Sequence, residues 1–343
     1  MANNLKVNSL QIFAIAIAII FVIPIFLIFS SLFSGFNDNF DHLYNFVLYE
    51  YSLNSLILVL GVSLIVVVLG VLSAWLVSNY NFWGKSIFTW ALILPLAIPP
   101  YILAYVFTEI FDYSGTVNTT LRSLNLVPDD YAVPTIRSLS GAIIVFGFTL
   151  YPYVYLITRV ALLNISKPML DSARTLGLTK AQTFFKVTLP LIRPAIFAGL
   201  ALVAMETLSD FGAVQHFAIP TFTTGIFRTW LGMYDLTTAM QLASMLLLVV
   251  FIILYIEKWQ RGNQRYSLSS ARSEPNKEVK LYGFQNFMAT LFCLLPITIG
   301  FILPVQELLS WSLELENNVS TKFVSATFNL SLIHISEPTR PLE

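Results

Sequence analysis

Long apolar runs separated by short polar stretches set the pattern of this chain. A helix that crosses a membrane needs about 20 apolar residues. Seven segments qualify: residues 10–33, 53–78, 87–110, 139–163, 191–210, 238–256 and 284–311. Most are interrupted only by Gly, Pro, Ser or Thr, which membrane helices tolerate because neighbouring groups satisfy the freed backbone. The first run follows Lys6 and is too long for the apolar core of a secretion signal. It also lacks a small-residue cleavage site, so it predicts a retained span. The predicted fold class is an all-α membrane protein, a polytopic helical bundle with one six-helix module and the start of a second.

Cationic residues orient the bundle. With the N-terminus in the cytoplasm, the inner segments hold Lys6, Lys85, Arg159, Lys167, Arg174, Lys180, Lys186, Arg193, Lys258, Arg261, Arg265, Arg272, Lys277 and Lys280. The outer segments hold only Arg122, Arg137, Arg228 and Lys322, together with many carboxylates such as Asp38, Asp112, Asp130 and Asp235. Cytoplasmic loops carry the excess of Lys and Arg, so this bias predicts an N-in, multi-pass protein.

Composition supports lipid as the solvent: 56% of residues are hydrophobic, 11% are charged and the mean hydropathy is +0.74. A net charge of zero gives no global field for nucleic acid. The single cysteine, Cys293, excludes a disulfide framework, and His42, His216 and His334 have no zinc-site spacing. No metal site is assigned, and no nucleophile–base pair suggests a membrane enzyme.

Residues 1–257 form the first predicted module, and 258–283 read as a polar, basic cytoplasmic linker whose cations suit anionic lipid. A repeat crosses it. PIFLIFSSLF around Pro24 parallels PVQELLSWSL around Pro304, with Ser30 and Ser310 each six residues after the proline. YSLNSL around Asn54 parallels ATFNLS around Asn329. Residues 284–329 are therefore expected to begin a second module, as internal repeats in transporters do. The string SLIHISEPTRP resembles translated sequencing-adapter DNA, and residues 330–343 are expected to contribute nothing to the fold.

The loop 164–190 reads NISKPMLDSARTLGLTKAQTFFKVTLP. Ser166 can cap a helix with Pro168 in its first turn, and Gly177 can close it in the left-handed conformation. Thr179 with Gln182 has capping-box spacing for a second helix, which Pro190 is expected to limit. Two short helices joined by a sharp bend follow. This pattern resembles the EAA loop of binding-protein-dependent ABC permeases. Asp171-Ser172-Ala173, Gly177 and Val187-Thr188-Leu189-Pro190 keep its spacing, with Asp for Glu, Ser for Ala and Val for Ile. The resemblance implies that the first helix docks on an ATPase. Ser172 and Ala173 would permit close approach, and Arg174 and Lys180 would pair with the ATPase surface. The alternative is an amphipathic helix lying on the membrane. Gly84-Lys85-Ser86 resembles the end of a phosphate loop, but the required earlier glycine is Asn79, so a short inner turn is expected. ATP and Mg would then belong to a partner subunit, and this chain would not be an enzyme.

Glu206 and Asp210 stand four residues apart near the outer end of the fifth run, which places them on one helix face. Glu206 lies roughly 22 Å along the helix from Leu191. Carboxylates at such depth usually line a pathway; the other reading is a structural pair satisfied by Thr207, Ser209 or a neighbouring helix. Glu109, near the outer end of the third run, is a further candidate. METLSDFGAVQHF, PTFTTGIFRTW, PLAIPPYILAYVF and LYPYVYLITRVALL are similar to stretches of ferric-iron importer permeases, with thiamine permeases as close relatives. The resemblance implies two ATPase copies, an extracytoplasmic substrate-binding protein and the bacterial inner membrane. An ion-gradient carrier is the reading from a different class.

Overall fold

The computed structural model describes residues 9–128, 130–165, 167–261, 279–314 and 325–329. The Ser166 cap, most of the linker (262–278) and the tail 330–343 lie outside the described residues. Among the described residues six helices are long and apolar enough to cross a membrane, and one bent pair would make a seventh.

The chain runs α1 (Ser9–Ser30), α2 (Asp38–Phe46), α3 (Leu48–Asn79), α4 (Lys85–Ala91), α5 (Pro100–Ile110), α6 (Thr116–Ser123) and α7 (Leu139–Leu163). Then come α8 (Lys167–Thr175), α9 (Lys180–Thr183), α10 (Leu189–Ser209), α11 (Gly212–His216), α12 (Phe222–Phe227) and α13 (Leu236–Arg261). The last described span is α14 (Gly283–Ile297) and α15 (Leu303–Glu314), joined by a π-helical turn over Thr298–Ile302. The end of the bundle that carries residues 164–190 is called the near end below, and the other the far end.

Helices α3, α7 and α10 pack together because small residues let their backbones approach. A Cβ on Gly70 of α3 would sit 2.9 Å from Val154 Cβ and 3.0 Å from the Tyr151 carbonyl oxygen. A Cβ on Gly199 of α10 would sit 2.9 Å from Val154 Cα. Val154 on α7 is thus clamped between two glycines. Around it Phe146, Tyr151 and Tyr155 are fully buried. The Tyr155 hydroxyl finds its partner in the Thr89 carbonyl at 2.9 Å, as a buried phenol requires.

The segment expected to be one span at 87–110 is instead broken. Lys85–Ala97 and Pro100–Ile110 meet at 89°. Pro95, Pro99 and Pro100 explain this: a proline pushes the residue before it out of the α region, and Ile98 and Pro99 are extended, with ψ of 117° and 142°. Gly84 takes the left-handed conformation and starts α4, the expected short turn.

The fifth span departs from expectation in the other direction. Pro190 does not stop α9. A π-helical turn over Phe184–Thr188, closed by the Leu189 N–H to the Phe184 carbonyl, carries the helix past the proline into α10. The extra residue in the turn relieves the clash that a proline ring makes with the preceding turn.

Polar groups on α13 hold the start of the chain. Gln241, fully buried, donates to the carbonyls of Ser31 at 3.1 Å and Gly35 at 2.9 Å. Ser244 donates to Ile28 at 2.7 Å. The rest of α1 is bare: none of its spanning window is buried. The last described span packs on the preceding helices, α14 against α3 and α4 and α15 against α5. At its near end β1 (Tyr80–Asn81) pairs in parallel with β2 (Val279–Lys280). Sequence patterning gave no sign of this two-residue clasp, because it pairs a loop with the end of a linker.

Candidate functional site

The near-end loop is built from local hydrogen bonds. Gly177, at φ +91°, donates to Arg174 at 2.9 Å, and Leu178 donates to Ala173 at 3.3 Å. This pair of bonds is a Schellman cap, which closes α8 and turns the chain. The Thr179 N–H donates to Gln182 Oε1 at 3.0 Å, and the Gln182 N–H donates to Thr179 Oγ1 at 3.2 Å. That reciprocal capping box starts α9. Two helices and a bend therefore stand where the spacing predicts them.

The surface of α8 differs from expectation in one respect. Ala173 is buried within the chain, whereas Asp171, Ser172 and Arg174 are exposed. Ala173 packs inside the chain, so its small size fits that internal contact. Arg174 sits 3.7 Å from Asp171, one turn back. Leu176, 85% exposed, and Phe185, 64% exposed, add an apolar element that the motif spacing did not reveal. Leu189 and Pro190 lie in the first turn of α10. Phe184 meets Trp75 edge-on at 5.2 Å, which ties this loop to the end of α3.

At the far end the two acids separate in role. Helix α10 ends at Ser209, and Asp210 has an extended backbone with ψ 130°. Asp210 therefore leaves the helical face it was expected to share with Glu206. Its Oδ1 accepts from the N–H of Ala213 at 2.8 Å and of Val214 at 3.4 Å, which caps α11. Its carbonyl accepts from Thr223 at 3.0 Å. Glu206 stays on α10, exposed, with the Tyr153 hydroxyl 3.4 Å from its carboxylate. Glu109 is exposed in the last turn of α5. No recorded bond joins it to Glu206 or Asp210 among the described residues. No cluster of three metal-ligating side chains occurs among the described residues either.

Three far-end features escaped sequence reading. His216 Nε2 lies 2.9 Å from Thr108 Oγ1, which joins α11 to α5. Tyr51 and Arg228 line one cavity of 490 Å³. Asn37 and Asn39 donate to Asp235 Oδ2 at 2.7 and 2.9 Å, and Thr238 donates to it at 2.8 Å. Each joins residues far apart in sequence, so no local spacing could have signalled it.

Comparison with known proteins gives this geometry a context. An Fe(3+)-transport system permease protein of Haemophilus influenzae is 27% identical over 291 residues, which cover 82% of this chain. The chain spans 52% of that relative's length. A molybdenum transport system permease protein of the same organism is 32% identical over 149 residues, covering 43% of this chain and 62% of the relative. A solved structure titled as a bacterial alginate ABC transporter in complex with alginate pentasaccharide-bound periplasmic protein shares the fold, with a TM-score of 0.59 and 18% identity over 72% of this chain and 92% of the neighbour. The family described as "Binding-protein-dependent transport system inner membrane component" matches residues 66–256, more than half of the sequence. With its multiple apolar spans and its capped near-end loop, the chain belongs to this family of multi-pass inner-membrane transport components.

Proposed function

We propose that this chain is the permease of an ATP-driven importer whose near-end loop is gripped by a separate ATPase. The observation that carries the reading is the capped pair α8–α9, set at EAA-like spacing and continuous with α10. Asp171, Ser172, Arg174 and Leu176 form its contact surface, and Gly177 sets its angle. Two ATPase copies hydrolyse ATP with Mg, and a substrate-binding protein delivers cargo to the far end. The N-terminus and the near end face the cytoplasm, in accord with the cationic bias.

Ferric iron is the proposed cargo, supported by the iron-permease relative that aligns over most of the chain. Glu206 faces the pathway, with Glu109 as a further lining carboxylate and Asp210 as the cap that fixes the loop after it. Residues 284–329 begin a second module. The local geometry supports a repeat: Ser30 donates to Leu27 at 2.7 Å and Ser310 donates to Glu307 at 2.8 Å, the same bond at equivalent positions. The molybdenum-permease relative favours an oxyanion cargo as a second reading.

Reconstitution of the full transporter in vesicles tests this directly. Uptake of radiolabelled ferric iron should need ATP and the binding protein, and Ser172→Cys should crosslink to the ATPase. Uptake that survives ATP depletion, with no crosslink, would leave an ion-gradient carrier. Labelled molybdate taken up in place of iron would establish the second cargo.

A further inference from the structure

A groove of 870 Å³ opens at the near end between α3 and α14, and neither the transport reading nor the relatives assign it a role. Its volume falls within the roughly 300–1,000 Å³ typical of small-molecule sites. Its wall on α14 is one stripe, with Gln285, Met288, Phe292 and Leu295 recurring at helical spacing. Its other wall is Trp75, Leu76 and Tyr80 at the end of α3. The apolar part of the groove therefore lies along two spans, and its polar mouth lies where both end.

That mouth is cationic and aromatic. Lys280, exposed in β2, lines it. Trp75 and Tyr80 pack edge-on at 4.9 Å, an amphipathic pair suited to the headgroup level. An occupant must bring an apolar chain for the groove and a negative group for Lys280, in that order along the membrane normal.

We propose that the groove binds one anionic phospholipid, with an acyl chain along α14 and the phosphate-bearing headgroup at Lys280. The bound lipid touches Trp75, which in turn packs on Phe184 of the near-end loop. The lipid is thus placed to stiffen the attachment of that loop to α3. The proposal rests on the membrane setting and not on the identity of the cargo.

The test uses the full chain with Trp75 as its only tryptophan, in phosphatidylcholine vesicles that contain brominated phosphatidylglycerol or brominated phosphatidylcholine. Brominated phosphatidylglycerol should quench Trp75 at about five-fold lower mole fraction, as one surface cation confers, and Lys280→Ala should erase that preference. Lys258→Ala, outside the groove, should retain it. Equal quenching by both lipids would mean ordinary surrounding lipid and overturn the proposal. Absence of quenching would mean that protein covers the groove, and would overturn it too. Native mass spectrometry of the otherwise unmodified chain gives a second readout: one retained phosphatidylglycerol, lost in Leu291→Trp, which fills the groove. A chain that retains none refutes the site.

Discussion

The backbone N–H of Trp83 donates to the side-chain carbonyl of Asn286 at 2.9 Å, across 203 residues of sequence. Beside it Leu281 donates to the Asn81 carbonyl at 3.0 Å, and Thr290 donates to the Trp83 carbonyl at 3.2 Å. The loop after α3 and the start of α14 are therefore one hydrogen-bonded unit. Asn286→Ala leaves the Trp83 N–H without its acceptor, at a cost of about 1–3 kcal/mol. The thermal midpoint of the detergent-purified protein should fall, and Asn286→Asp, which keeps an acceptor, should fall less. Equal midpoints for Ala and wild type would remove the clasp as a stabilising element.

Gly177 is open to space but not to conformation. Nothing lies within 4 Å of a Cβ built there, yet φ is +91°. Gly177→Ala therefore carries only a backbone penalty, on the order of 1 kcal/mol. The variant should insert and fold normally, while ATPase stimulation by cargo-loaded binding protein weakens several-fold. If stimulation is unchanged, the angle between α8 and α9 is not part of coupling.

Glu206 and Asp210 should respond differently to neutralisation. Asp210→Ala removes the cap of α11 and should lower stability by about 0.5–2 kcal/mol. Glu206→Gln, at an exposed side chain, should leave the thermal midpoint within error and reduce cargo uptake. A stability loss at Glu206, or none at Asp210, would reverse these assignments.

Asp235 predicts a pH effect. Burial alone would raise its pKa, but hydrogen bonds from the Thr238 N–H, Asn39, the Thr238 hydroxyl and Asn37 outweigh burial and hold it well below 3.8. A depressed carboxylate stabilises the fold fully above its unfolded pKa, and that contribution is lost as pH falls through the folded value. Thermal midpoints should therefore drop more steeply with acidification, from about pH 5 downward, in wild type than in Asp235→Asn. Parallel slopes would show that the Asn37–Asp235 contact does not set acid stability.

Hydropathy made the spans legible because lipid demands long apolar helices, and the Gly177 and Thr179 signals located a bend governed by bonds within six residues of each other. The break in the third run was written in Pro95, Pro99 and Pro100, though run length alone masked it. Pro190 misled in the opposite sense, because a π-helical turn absorbed it. The shared face of Glu206 and Asp210 failed because periodicity does not register where a helix ends. His216 with Thr108, Tyr51 with Arg228 and Asn37 with Asp235 stayed hidden because each depends on how distant helices are brought together.

The helix that runs without a gap from Lys180 to Ser209 is about 45 Å long, at 1.5 Å per residue. Beyond the π-helical turn and the prolines Pro190 and Pro194, where helices bend, it offers no loop that could absorb a push at the near end. With the Gly70–Val154–Gly199 crossing as fulcrum, a tilt at Gln182, about 25 Å from Gly199, would carry Glu206, about 10 Å beyond it, the opposite way through less than half that arc.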